Sequence, residues 1–447
     1  MSNLQGGIAF EGNRSDRKSD SPAESGATLN GKPFVHGSPF LADFASPHTE
    51  SAVDMAALRH KRLANVQREM VKRDIAGLLL LSPVNIRYAT GLAVMTAWTS
   101  VNLARYVFIP ASGEPTIFEY GKALFRAQSL WQDSRIARTW QYRFSQKEVL
   151  PRAKDWSSEI AALLAKATGT GKGHSLGVDI MDFYGFEALK DQGITVCDAD
   201  EAMQAARIIK EPAEVELIEQ SLVVSEASRY DLERAIQPGV SENGLLGVFY
   251  HKMLALGGEH CSTRLLCSGE KTNPWFYEAG TRRVRPGDLV AIDTDMVGPE
   301  GYLCDISRTF ICGDRANSYQ REAYAVAQEF IEGTFALCRP GANLRDICTK
   351  SPDYPDEYKK LCYSCMIHGI GMDDEPPFLP YPHAVKKVGE SVIPEEELLP
   401  NTVLSIEFYA GKEGYPDGVK LEDQLLVTEQ GPVWLSRYPN SSILSGR

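Results

Sequence analysis

Five carboxylates stand inside otherwise apolar runs of this sequence. Asp293 and Asp295 interrupt DLVAIDTDMV, Asp305 precedes ISRTF, Glu407 interrupts TVLSIEFY and Glu422 interrupts GVKLEDQLLV. An isolated ionised carboxylate in a protein core costs on the order of several kcal/mol even after relaxation, so such acids must be paired or bound to a cation. Arg308 could satisfy one, and Lys420 or Arg282 another, which makes a structural ion-pair network the alternative to a metal. His368, in the small-residue stretch HGIG, adds a nitrogen ligand. One imidazole with carboxylates on neighbouring strands favours a mixed oxygen and nitrogen metal site over a lone, satisfied core histidine.

The elements that must position these groups follow from the apolar patterning. The chain has 447 residues, about three typical domains of roughly 150, and two domains are the default. Residues 1–50 are rich in Gly, Ser, Asn and Pro without a sustained apolar period, and read as a tail or an arm that embraces a partner. From Met55 the apolar residues Met55, Leu58, Leu63, Val66 and Met70 share one helical face, and IAGLLLLS from Ile75 reads as a buried strand. YVFIP and PTIFEY add strands and SSEIAALLAKA a helix, giving a mixed α/β unit over 51–206. A second unit, 207–447, opens with a helix in which Pro212 occupies the first turn and Val215, Ile218 and Leu222 face inward; Pro238-Gly239 stops it. Strand-like runs (STRLLCSG, DLVAIDTDMV, TVLSIEFY, QLLVTEQ) and a helix at SYQREAYAVAQEFIEGTFAL follow without regular alternation, an α+β pattern. Neither a Gly-rich dinucleotide loop, a P-loop nor a G-x-S-x-G elbow is present.

Composition narrows the partners. With 47 basic and 59 acidic residues the formal charge is −12, which opposes a nucleic-acid or anionic-membrane role and weakly favours a cationic ligand. The nine cysteines are scattered and odd in number, as in reduced thiols of a cytoplasmic protein. Cys362 and Cys365 have zinc-knuckle spacing, but the second pair that a structural zinc needs does not follow. The first residues lack a secretory pattern and no apolar run is long enough to span a bilayer, so a cytoplasmic location is expected.

Six segments in order, ARIIKEPAEVELIEQS, RVRPGDLVAIDTD, GYLCDISRTF, HGIG, LSIEF and KLEDQLLVT, together resemble the creatinase, prolidase and aminopeptidase P group. SPVNIRYATGL and SGEPTIFE resemble that group's smaller N-terminal domain. The resemblance implies a pita-bread catalytic domain, a homodimer, and two metal ions shared by two Asp, one His and two Glu. Carried over, Asp305 and Glu422 would bridge the ions, His368 and Glu407 would hold one, and Asp293, Asp295 or both the other.

Departures from the peptidase pattern carry the functional expectation. The group's peptidases place a His-Tyr pair after the SGE-type turn, where this chain reads PWFY with Phe276 at the His position; a second His falls seven residues after the ligand His, where Glu375 stands. Losing both proton-handling histidines while keeping every metal ligand implies chemistry other than peptide hydrolysis. In PWFY, IDTDMVGPEGYLCDISRTF and HGIGMDDEPPF the chain resembles lyases of the DddP type, which implies cleavage of the sulfonium carboxylate dimethylsulfoniopropionate into dimethyl sulfide and acrylate. Trp275, Phe276, Tyr277, Tyr363, Phe408 and Tyr409 flank the metal motifs, and their faces suit a sulfonium cation. Asp374, six residues after His368, is the expected base, with Tyr363 the alternative base or a sulfonium contact. Iron is the first expectation for the metal, with manganese, cobalt, zinc and nickel open. A proline-directed or creatinase-like hydrolase and a non-catalytic binding module compete with the lyase; the module gains nothing from so many costly buried acids.

Overall fold

The computed structural model describes residues 52–440, except for positions 94, 101, 103, 141–145, 170–173, 314, 390–392 and 394, together with a short antiparallel pair formed by Ala27–Leu29 and Lys32–Phe34. The rest of the expected N-terminal arm lies outside the described residues.

The helix expected from Met55 runs over Met55–Lys72, capped by the Asp54 carboxylate on the amides of Ala56 and Ala57. Its inward face buries Leu58, Leu63, Val66 and Met70. Beside it lies a six-stranded sheet in the order Ser134–Ile136, Thr116–Glu119, Tyr106–Pro110, Gly77–Leu80, Ser175–Val178, Thr195–Asp198. Tyr106–Pro110 is antiparallel to both its neighbours and the remaining pairs are parallel. A helix over Val149–Thr168 covers this sheet, sending Trp156, Ile160 and Leu164 into a core with Leu79, Phe108 and Leu176.

The second unit begins with the helix Pro212–Ala235, where Glu211 and Glu214 form a reciprocal capping box around the first-turn proline. Ile218 and Leu222 are fully buried and Val215 partly so. Past the helix Glu242–Ala255, three antiparallel strands, Leu265–Ser268, Leu289–Asp293 and Arg308–Ile311, form one sheet. A five-stranded antiparallel sheet has the order Asp374–Pro380, Cys365–Ile370, Val403–Gly411, Gly418–Thr428, Gly431–Trp434. The helix Ser318–Phe335 backs it, packing Phe330 against Phe408 and Tyr381. The two sheets approach through the strands carrying the acids: Ser307 and Glu422 exchange backbone hydrogen bonds, and Thr309 does the same through its hydroxyl with Lys420.

The domains are also tied directly. Arg87 of the first clamps Glu259 of the second with two bonds of 2.6 and 2.8 Å. Among the described residues no helix is long and apolar enough to cross a membrane, and all nine cysteines are unpaired.

Candidate metal centre

Register and parity assemble the site. Glu407 and Glu422 are direct cross-strand partners, as are His368 and Ser405. Side chains two apart share a face of a strand, so Ser405, Glu407 and Tyr409, with His368, Lys420, Glu422 and Gln424, point to the same side of the sheet. Asp293, the last residue of its strand, reaches the same space from the facing sheet. Asp295 follows in the left-handed region at φ 32°, a conformation Asp tolerates better than most residues, and its carboxyl meets that of Asp305.

The side chains converge on His368. Its Nε2 lies 3.3 Å from Glu422 Oε1, 3.5 Å from Asp305 Oδ2 and 3.9 Å from Glu407 Oε1, while its Nδ1 is 3.5 Å from Asp374 Oδ1. Three sets place their ligand atoms within 4.8 Å of one another: Asp305, His368 and Asp374; His368, Glu407 and Glu422; Asp293, Asp305 and Glu422. One oxygen each of Asp293 and Asp305 is buried without a hydrogen-bond partner, which a cation in their midst would satisfy. The residues therefore fit a divalent-metal centre of hard oxygens with one imidazole.

Electrostatics reports the same crowding. Burial, then the charges of Asp293, Asp374 and Glu422, push Asp295 up to about 7, and burial with the neighbouring acids raises Asp305 well above the carboxylate range. Burial disfavours the His368 cation, yet Glu422, Asp374 and Glu407 hold the imidazole up to about 10. Against its own burial, Glu422 is depressed by Lys420 and His368, and it accepts hydrogen bonds from the hydroxyls of Ser307 and Ser405, each at 2.7 Å.

Asp374 differs from the ligand acids in exposure, its side chain being 43% accessible. Burial of the remainder, then nearby negative charge, raises its pKa, with His368 opposing. The Tyr363 hydroxyl donates to Glu407 Oε2, and the Phe276 ring meets the Tyr363 ring edge-on at 5.3 Å. Phe276 is 60% exposed and sits at φ 80°, a strained backbone for an aromatic residue.

The other aromatics distribute differently. Phe408 departs from expectation: one residue on from Glu407, it points to the opposite face and packs against Phe330, Tyr354 and Tyr381. Tyr409 is on the metal side but buried, its hydroxyl donating towards Thr272 O at 2.9 Å and Asn273 Oδ1 at 2.7 Å, with Trp275 stacked on its ring. Both support the wall of the site rather than line it openly. Tyr277 is nearly half exposed with the Lys271 ammonium 5.9 Å from its ring centre.

Two basic side chains resolve in opposite ways. Arg308 belongs to a separate buried knot, bonding Asp423 at 2.5 Å and the carbonyls of Ser307, Glu422 and Tyr438. Lys420 sits within the acid cluster, which its parity with Glu422 signals in the sequence. Glu375 is sealed from the site by Lys210 at 2.7 Å and Arg207 at 3.1 Å. The glycines of HGIG make this possible: a Cβ at Gly369 would strike the Pro376 carbonyl and one at Gly371 the Glu375 carboxylate.

Residues 216–429 match the model of metallopeptidase family M24, and residues 62–209 that of the creatinase/prolidase N-terminal domain. The chain is 32% identical over 440 residues to a dimethylsulfoniopropionate lyase DddP of Roseobacter denitrificans, covering 94% of this chain and 96% of that one. A second such lyase, from Roseovarius nubinhibens, is 31% identical over 406 residues, covering 88% and 89%. The chain belongs to the DddP family. Its catalytic half has the pita-bread fold, preceded by a creatinase-type N-terminal domain. Peptidases of the wider group lie further off: a Xaa-Pro dipeptidase of Pyrococcus furiosus is 26% identical over 245 residues, 53% of this chain and 66% of that one. The solved Xaa-Pro dipeptidase of Bacillus anthracis superposes with a TM-score of 0.68 at 20% identity, over 86% of this chain and 99% of that one.

Proposed function

We propose that the protein cleaves dimethylsulfoniopropionate by β-elimination to dimethyl sulfide and acrylate. The observation that carries this reading is a difference in exposure among the acids: Asp293, Asp305, Glu407 and Glu422 are buried in sets that fit a cation, with Asp295 against Asp305, while Asp374, though within reach of one set, stays 43% accessible at the rim beside His368. An accessible carboxylate with a raised pKa is suited to take a proton near neutral pH. At the positions where the group's peptidases carry histidines, Phe276 supplies a hydrocarbon ring and Glu375 is spent on Lys210 and Arg207.

Two divalent ions, held by those five acids and His368, would supply Lewis-acid coordination of the substrate carboxylate and so favour negative charge at its α-carbon. The chain's own groups do the rest. Asp374 takes the α-proton; the Cα–H electron pair forms the new double bond as the Cβ–S bond breaks with its pair on sulfur, giving dimethyl sulfide and acrylate. Water takes no part, so a nucleophile-activating histidine is not required. The rings of Phe276 and Tyr363 flank the rim and offer π faces or apolar edges to the sulfonium methyls, each contact worth about 0.5–2 kcal/mol. Purified protein supplied with dimethylsulfoniopropionate should release dimethyl sulfide into the headspace and acrylate into solution in equal amounts, and chelation should abolish both. Acrylate without dimethyl sulfide, or neither product after metal restoration, overturns the reading.

A further inference from the structure

Lys420 lies in the middle of the acid cluster. Its side chain is 1% exposed, and its Nζ lies 2.8 Å from Glu407 Oε2, 2.9 Å from Glu422 Oε2, 3.2 Å from Asp293 Oδ2 and 2.9 Å from Ser307 Oγ. The oxygens it takes are one of each pair. Glu407 Oε1 and Glu422 Oε1 face His368 instead, and Asp293 Oδ1 has no partner. The ammonium thus gathers the rear oxygens of three carboxylates from two sheets and leaves the front oxygens for a metal.

The charge balance gives this a consequence for substrate choice. Five ligand carboxylates against two divalent ions leave one negative charge, and a negative centre buried in low dielectric repels an incoming carboxylate. We propose that Lys420 is a positioning residue and a fixed third cation, which offsets the negative charge left on the ligand acids of the loaded centre and thereby lets it accept a carboxylate-bearing ligand. This rests on the reading that two divalent ions occupy the centre, but not on which carboxylate is turned over. Lysine suits the role because its compact ammonium can donate in three directions, whereas a methyl-ended side chain of similar length leaves three acids facing one another.

The test uses the full chain stripped of metal, with Lys420→Met and Lys420→Arg beside the wild type, Mn2+ as the metal probe and acrylate as a carboxylate ligand without a sulfonium. In calorimetric titrations Lys420→Met should bind Mn2+ at least tenfold tighter, and once loaded should bind acrylate at least tenfold weaker; Lys420→Arg should return both towards wild type. Unchanged or weaker Mn2+ binding, or unchanged acrylate binding, overturns the proposal. If Lys420→Met folds only with Mn2+ present, the acrylate titration on the loaded protein decides alone. A wild-type protein that binds acrylate yet fails to turn over dimethylsulfoniopropionate would sink the lyase reading while leaving the Lys420 comparison intact.

Discussion

Replacing Asp374 by Asn tests the assignment of the base with little disturbance elsewhere. The residue begins the strand Asp374–Pro380, where it pairs with Ile370, and its side chain projects to the rim at 43% exposure. Asn keeps the shape, and the ligand acids keep all their mutual contacts, so the fold should change by no more than about 0.5 kcal/mol, the usual range for an exposed position. Loss of a positioned base costs about 10² to 10⁴ in rate, equivalent to about 3–5 kcal/mol in the barrier. Turnover measured as dimethyl sulfide in the headspace, with metal content determined on the same sample, should therefore fall at least a hundredfold at full metal occupancy. Tyr363→Phe provides the contrast, since it keeps the ring and loses only the hydroxyl bonded to Glu407. A metal-loaded Asp374→Asn enzyme within threefold of wild type, alongside a collapsed Tyr363→Phe enzyme, would refute Asp374 as the base and move the role to the phenol.

Asp305→Ala removes a carboxylate shared by two of the clusters, and elemental analysis should show metal and activity lost together; full metal content would contradict the assignment. Glu226, buried far along the chain from the centre's acids, has its pKa pushed from 4.5 up to about 7 by burial, against amide bonds from Arg437 and Tyr438. Between those values the folded state holds the extra proton, so stability contributed here falls as pH rises through the window, by on the order of 3 kcal/mol in all. Denaturant melts from pH 4.5 to 8 should show Glu226→Gln losing that decline relative to wild type, and identical pH slopes would rule the effect out. The protein should be a homodimer by light scattering at micromolar concentration, with deletion of residues 1–50 weakening association more than it lowers the melting temperature; a compact wild-type monomer contradicts this.

Much of the centre is legible in the sequence because charge inside an apolar strand is a strong physical signal. Asp293, Asp305, Glu407 and Glu422 each break a run that otherwise reads as core, and the helix over Pro212–Ala235 is announced by its proline, its capping acids and its inward face. Which way a residue points is harder where both faces of a strand are buried, as they are throughout Val403–Gly411. There apolar alternation disappears, and only parity counted from Glu407 separates Tyr409 from Phe408. The same count from Glu422 places Lys420 on the face that carries the ligand acids. The fate of Glu375 was beyond local reading, because its partners Arg207 and Lys210 come from a segment 165 residues away in the case of Lys210. Asp295 depends on a left-handed turn residue, which composition alone does not announce.

A paired assay distinguishes elimination from hydrolysis at the metal centre directly. Metal-restored protein should be offered dimethylsulfoniopropionate and, separately, a Xaa-Pro dipeptide, following dimethyl sulfide, acrylate and free proline. The arrangement of Asp374, Phe276 and the sealed Glu375 predicts equimolar dimethyl sulfide and acrylate from the first and no proline from the second. Proline release without dimethyl sulfide would contradict it and return the site to the peptidases whose fold it shares.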